Sequence, residues 1–459
     1  MTDPTPDTPA PDVSNRTWRD VFGLAWPMTI KAILLHGTVV IDAYLVSSLG
    51  EEALAALGLA AAVGGLVLGA VFAFSAAVQI RSAQAAGTED IVFRKSVLAS
   101  GLALSLGLAS AGLVLIWLFG LNLIALLAPT EAVTSLAWNY LSVFSLVILG
   151  EAVGQVLSSH FNGNGQTRIP LYSFCLSVPI NVSASVVLIH GLYGAPVMGV
   201  TGAAVGSAIA IGVQVAFLAG GLWVKDAALL GAKGWRNVTF PSTFRRHLTF
   251  ALPIAATFFS ASLASNVSQM IYARMSLSAF AAMTLIAPWI MVVGQISMQW
   301  TQATGILVAQ QLGQRVGEPQ LDRFLGMAWR GAHMTALVGA GMFTIICVFA
   351  GWLYDDLTSQ THAILYSFLP VLLILPFFRA TNAICGNTLR ASGDTVHVMK
   401  IFLLSQWGFR VPATALAVLY FKVDPVWVIA LLLAEELVKF PMFHRRLWQG
   451  DWKRADVTA

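Results

Sequence analysis

The sequence predicts an all-α integral membrane protein: twelve transmembrane helices forming two parallel six-helix repeats around a central cavity. Three observations predict it. Charged residues are scarce, long apolar runs recur along the whole length, and the second half repeats the first in frame.

Of the 459 residues, 57% are hydrophobic and 10% charged, against about 25% charged in ordinary soluble domains. A soluble chain of this size needs more charge to cover its surface, so most of this surface faces lipid. Each apolar run is close to the ~20 residues that cross ~30 Å of hydrocarbon as a helix. Twelve spans are expected, at 21–48, 53–80, 96–127, 134–158, 169–191, 196–224, 246–273, 279–308, 325–351, 362–389, 397–420 and 425–444. Cytoplasmic loops collect Lys and Arg. With the N-terminus inside, twenty of the twenty-six Lys and Arg residues gather on the inner side, seventeen in inside segments and Arg246, Arg330 and Lys400 at the inner ends of spans, and the outer loops keep only Arg274 and Lys422. Shifting the count by one helix destroys that bias. The expected location is the cell (inner) membrane, multi-pass, with both termini cytoplasmic.

The basic residues lie between apolar runs and form no stripe, so the net charge of +4 implies no nucleic-acid partner. Cys175, Cys347 and Cys385 are far apart inside apolar runs, lack metal-ligand spacing and are expected as small core residues. No GxxxxGK[ST] loop occurs, which disfavours direct ATP drive. His36, His160, His190 and His333 are scattered, so no catalytic cluster of an enzyme is expected. The expected organisation is a disordered cytoplasmic tail at 1–15, rich in Pro and Asp, and an N-terminal half at 16–224. A basic cytoplasmic linker at 225–245, a C-terminal half at 246–446 and a cytoplasmic tail at 447–459 follow. The tail at 1–15 lacks the basic start and apolar core of a cleavable signal peptide.

The repeat is legible at three junctions. Leu24-Ala-Trp-Pro27 resembles Phe250-Ala-Leu-Pro253. Ala53-Leu-Ala-Ala-Leu57 matches Ala279-Phe-Ala-Ala-Met283, an offset of 226 that also pairs Gln84 with Gln310 and Gly87 with Gly313. Asn164-Gly165-Gln166-Thr167 matches Ser392-Gly393-Asp394-Thr395 at an offset of 228. Six helices per half start both halves on the same side, so the repeats are parallel, with a cavity expected between them.

Several motifs carry a family resemblance. Leu24-Ala-Trp-Pro27, Ile41-Asp42-Ala-Tyr44, the run Leu49-Gly50 to Gly58, Gly163-Asn-Gly165-Gln-Thr167-Arg168, Gly199-Val-Thr-Gly-Ala-Ala204 and Arg390-Ala-Ser-Gly393-Asp-Thr395 resemble, in order and spacing, the MATE (multidrug and toxic compound extrusion) transporters of the MOP flippase superfamily. The resemblance implies antiport: export of small amphipathic or cationic compounds by alternating access, exchanged for H+ or Na+, with no other cofactor. The expected partners are small-molecule substrates and membrane lipids, and the unit is expected to be a monomer. A rival in the same superfamily is a flippase or exporter of lipid-linked or anionic metabolites, kept open by the basic Lys31, Arg379 and Arg410.

A carboxylate at mid-bilayer costs about 2.5–3.5 kcal/mol on insertion scales, so each one demands a reason. Asp42 lies among Val39, Val40, Ile41 and Leu45 and is expected as a proton or cation site; the alternative is a structural hydrogen bond or ion pair. In the family, an aspartate at this motif position belongs to the coupling site of the first half. Its expected companions are Asn181 and Ser185, four apart on one helix face, with Thr201, Ser207 and Glu151. Where Ser185 aligns, family members often carry an acidic residue, a departure that favours protons over sodium. Thr201 and Ser207 serve equally well as small polar residues packing helices together. In the second half Asp42 corresponds to Ser268, and Asn382 occupies the position of an acidic residue in one branch of the family. The second-half cation site of that branch is therefore expected to be absent. Gln295, Gln299 and Gln302 form a polar stripe near Met291 and Met298, expected to line a promiscuous substrate cavity with Asn382; they serve alternatively to join helices. Lys31, three turns before Asp42, is expected to snorkel to the surface or to stand at the inner mouth of the cavity. Arg379 and Arg410 are expected to pair with carboxylates, with Glu435, Glu436 and Lys439 as companions.

Overall fold

The computed structural model describes residues 16–88, 90–231, 240–349, 358–455 and 457. The expected tail at 1–15, positions 232–239 of the linker and the last residues of the ninth expected span lie outside the described residues.

Among the described residues, twelve long helices carry the chain back and forth. The first six are α1 Trp18–Ser47, α2 Glu51–Thr88, α3 Ile91–Leu127, α4 Glu131–Gly163, α5 Arg168–His190 and α6 Val200–Lys225. The second six are α7 Phe240–Tyr272, α8 Leu277–Gly313, α9 Glu318–Val348, α10 Ser359–Ala391, α11 Thr395–Tyr420 and α12 Pro425–Trp448. The first eleven are long and apolar enough to cross a bilayer. Helix α12 stands apart because Glu435, Glu436 and Lys439 lie in its middle, all buried against its own half.

The repeat extends to the turns. Gly165 (φ 78°) and Gly393 (φ 97°) both take the left-handed conformation that ends a helix and that side chains resist. In each turn the glycine N–H reaches back three residues, to the Asn162 or Arg390 carbonyl. The next N–H reaches back five, to Phe161 or Leu389. The repeated sequence at these points is therefore a repeated chain reversal.

Helices α2 and α8 run past the spans expected for them, to Thr88 and Gly313. Their extensions hold Arg81, Gln84, Gln310 and Gln311, polar side chains buried against protein. Apolarity marks the part of a helix that meets lipid, and these last turns meet the other half instead. At this end the halves share apolar clusters: Val21, Leu24 and Met28 of α1 pack with Ile306, Leu307 and Phe324, and Ala77 of α2 packs with Ala251 and Ile254. At the opposite end each half keeps its own. One cluster holds Val46, Leu57, Val71, Leu141 and Val200; the other holds Tyr272, Met283, Phe343, Leu372 and Ile429. The shared clusters close the bundle at the end where both halves begin, and no such cluster joins the halves at the other, parted end.

Closure rests on backbone contact between repeat-related glycines. A Cβ on Gly87 would lie 2.2 Å from the Gln310 carbonyl oxygen, and one on Gly313 would lie 2.4 Å from the Gln84 carbonyl oxygen. The flanking glutamines cross in both directions: Gln84 Nε2 donates to the Ala391 carbonyl (2.7 Å) and Gln310 Nε2 donates to the Gly163 carbonyl (2.8 Å). Arg81 adds a third tie, donating to the Val457 carbonyl at 3.2 Å. Because main-chain atoms form this contact, no side chain can rotate aside. Gly87→Val should therefore destabilise the closed form by about 1–3 kcal/mol, as overpacking does, and lower the melting temperature in detergent. An unchanged melting temperature would show that the helices do not meet there.

Candidate functional site

The polar residues of the first half fall into three groups. Glu151 of α4 accepts a hydrogen bond from Gln155 (2.8 Å), one turn on along the same helix. It stands within Coulombic reach of Lys31, whose Nζ lies 5.2 Å from the centre of the Phe174 ring. Lys31 is thus turned into its own half, between α4 and α5. In the second group α5 and α6 are joined where Asn181 donates to Ser207 (2.9 Å). Ser185, one turn further, fits under Gly206; a Cβ there would lie 2.3 Å from its Oγ. The close approach of the two helices needs that glycine. Thr201 is half-buried near the start of α6.

Asp42 forms the third group. It is half-buried on α1, and its Oδ1 is buried with no hydrogen-bond partner among the described residues. Tyr140 of α4, itself buried, lies within Coulombic reach. The structure therefore brings Asn181 and Ser207 together and sets Glu151 within Coulombic reach of Lys31. Asp42 keeps an unfilled acceptor. Ser185 Oγ and Asn181 Oδ1 are two further buried oxygens without partners in this half.

The second half encloses a cavity of about 500 Å³ between α7, α8, α10, α11 and α12. Gln295, Met291, Met298 and Asn382 line it, and so do Arg379 and Arg410. Gln299 and Gln302 do not: Gln299 is buried and donates to Gln295 Oε1 at 3.3 Å, and Gln302 is half-buried away from the lining. Residues four and seven apart share a broad helix face, but only the part turned to α7 and α10 meets the cavity. Lys31 is also absent from its wall. The enclosed volume belongs to one half. Gln295 lies 3.5 Å from His36 of α1, where the two halves approach.

Behind the wall runs a charge network. Glu435 pairs with Arg410 (3.0 Å) and Lys439 (2.7 Å). Glu436 pairs with Lys439 (3.2 Å), approaches Arg379 (3.8 Å) and accepts from Asn382 (2.8 Å). The two arginines expected to find carboxylates do so. Arg410 ends a π-helical stretch, Leu404–Arg410, just before Pro412, where wider turns and the missing proline N–H loosen α11. Sequence reasoning assigned Arg390 to the basic loops. In the structure it is buried and lines the cavity, 5.7 Å from the Phe258 ring and 5.6 Å from that of Phe402. Its spacing of eleven residues from Arg379, three turns on one face, was the available signal.

Comparison with known proteins bears on this architecture. The MatE family model matches residues 27–187 and 253–416, one segment in each half. The chain is 22% identical to the probable multidrug resistance protein YoeA of Bacillus subtilis over 458 residues, covering 96% of this chain and 95% of that one. It is 27% identical to the probable multidrug resistance protein NorM of Thermotoga maritima over 334 residues, 71% and 70% of the two chains. Among solved structures, the Vibrio cholerae MATE transporter VcmN in the bent form shares the fold at a TM-score of 0.81 and 17% identity, covering 97% of this chain and 100% of that one.

The buried network generates a stability prediction. Glu435→Ala strands Arg410 and leaves Lys439 with Glu436 alone, and breaking a buried pair on one side costs about 3–5 kcal/mol. Thermal melts in detergent should show a large drop for this variant. A melt like that of the wild type would mean the carboxylate does not hold α11 to α12.

Proposed function

The chain belongs to the MatE family, and from that premise we propose that it is a secondary active exporter of small amphipathic compounds, a multidrug efflux protein driven by exchange for H+ or Na+. One observation carries the coupling: Asp42 holds a buried carboxylate oxygen without a partner, in a half where Glu151 has both a hydrogen-bond donor and a nearby cation. A carboxylate left unfilled inside a membrane protein is poised to take up a proton or a cation.

The mechanism is alternating access. With the termini in the cytoplasm, the closed end faces inward and the parted end outward. Occupation of Asp42 changes the charge between α1 and α4, and so shifts the balance between arrangements of the two halves. A cargo that favours the inward-open arrangement and a cation that favours the outward-open one drive each other in opposite directions. Tight binding alone shifts nothing; the two ligands must prefer different states. The glutamine and glycine contacts at the closed end are the part that has to separate.

Efflux from proteoliposomes, with proton and sodium gradients imposed separately, tests this reading. One gradient should drive efflux in the wild type. Asp42→Asn should reduce gradient-driven efflux to the level of empty liposomes while leaving the protein folded and inserted. Undiminished efflux by that variant would remove Asp42 from the mechanism.

A further inference from the structure

The cavity of the second half has an unbalanced wall. Among the described residues it is lined by Arg379, Arg390 and Arg410 and by no carboxylate. Glu435 and Glu436 stand behind and are shared between Arg379, Arg410 and Lys439. Four cations, with Arg390, therefore face two carboxylates.

Arg390 is the unmatched one. It is 8% exposed, makes no ion pair among the described residues, and its Nε has no hydrogen-bond partner. The Phe258 and Phe402 rings near it attract a cation but supply no lone pairs. Arg410 adds two more unfilled donors, Nε and Nη2, on the same cavity. Buried guanidinium N–H groups left unfilled are unfavourable, and an acceptor entering the cavity relieves that. The rest of the wall is mostly apolar, with Phe258, Ile286, Ile290 and Met298, and its remaining polar groups, Gln295, Asn382 and Asn387 among them, are uncharged. A volume of about 500 Å³ lies within the roughly 300–1,000 Å³ of small-molecule sites.

We propose that this cavity binds an amphipathic organic anion, a carboxylate or sulfonate on an apolar body, with the anionic group on Arg390. A cationic compound of the same size meets three guanidinium groups there and no carboxylate among the described residues, only neutral amides and hydroxyls. The proposal deepens the export reading by giving the charge of the cargo, and it rests on that reading only in treating the ligand as cargo.

Binding to the purified protein in nanodiscs tests it, with anilinonaphthalene sulfonate as the anion and a rhodamine cation in parallel. The wild type should bind the sulfonate more tightly than the cation. Arg390→Gln should weaken sulfonate binding at least about tenfold, the scale of one hydrogen bond to a charged group, and spare the cation; Arg390→Lys should restore part of the loss. Equal sulfonate binding by Arg390→Gln, or a wild type that prefers the cation, overturns the proposal. A second measurement leaves Arg390 in place. Ser265→Cys on the cavity wall, in a Cys175→Ser background, should react faster with an anionic thiosulfonate than with a cationic one; the reverse order overturns the proposal. Sulfonate binding that survives when gradient-driven efflux fails would remove the coupling and keep this site. Coupled efflux without sulfonate binding would keep the coupling and remove the site.

Discussion

Everything else in the molecule is arranged around the place where α2 and α8 meet. Gly87 and Gly313 are repeat partners, and their backbones touch because neither has a side chain. Gln84 and Gln310, also repeat partners, then cross to the opposite half. Two equivalent contacts of this kind can form together only if the halves are related by an axis running between the helices. They also fix which end is closed. These last turns are held together, while at the other end each half has its own apolar core.

On this symmetric frame the chemistry is unequal. The first half carries Asp42 with an unfilled acceptor. The second carries a surplus of positive charge and buried donors without acceptors. The Asp42 site is thus short of a cation and the Arg390 cavity short of an anion. Each deficit is unfavourable in a medium without water, so each persists only where a ligand relieves it. In this account the cation and the cargo are taken up by different halves, and they communicate through the arrangement of one half against the other.

Much of this was legible in the sequence. Apolar runs and loop charge located the helices, and the matched junctions predicted the repeat down to the glycines of its turns. The last turns of α2 and α8 were missed because apolarity reports contact with lipid, whereas Gln84 and Gln310 are buried by protein. Helical spacing placed Gln295, Gln299 and Gln302 on one face, yet only Gln295 meets the cavity. Spacing fixes a face of one helix but not which neighbour that face is turned toward. Lys31 shows the same limit: its register with Asp42 was legible, and its approach to Glu151 depended on how α1 packs on α4. Arg390 sat in a stretch that positive charge marked as a loop. The local sequence carries no sign that Phe258 and Phe402, from two other helices, come to lie beside it.

The central claim is that the charge state of Asp42 sets the arrangement of the two halves. Pulsed dipolar spectroscopy measures this directly, with spin labels at Glu51→Cys and Leu277→Cys, repeat partners exposed at the parted end, in a Cys175→Ser background in nanodiscs. The account predicts two distance populations whose weights change with pH or sodium in the wild type and stop changing in Asp42→Asn. A single distribution indifferent to pH and sodium, or one that still shifts when Asp42 is replaced, would contradict it.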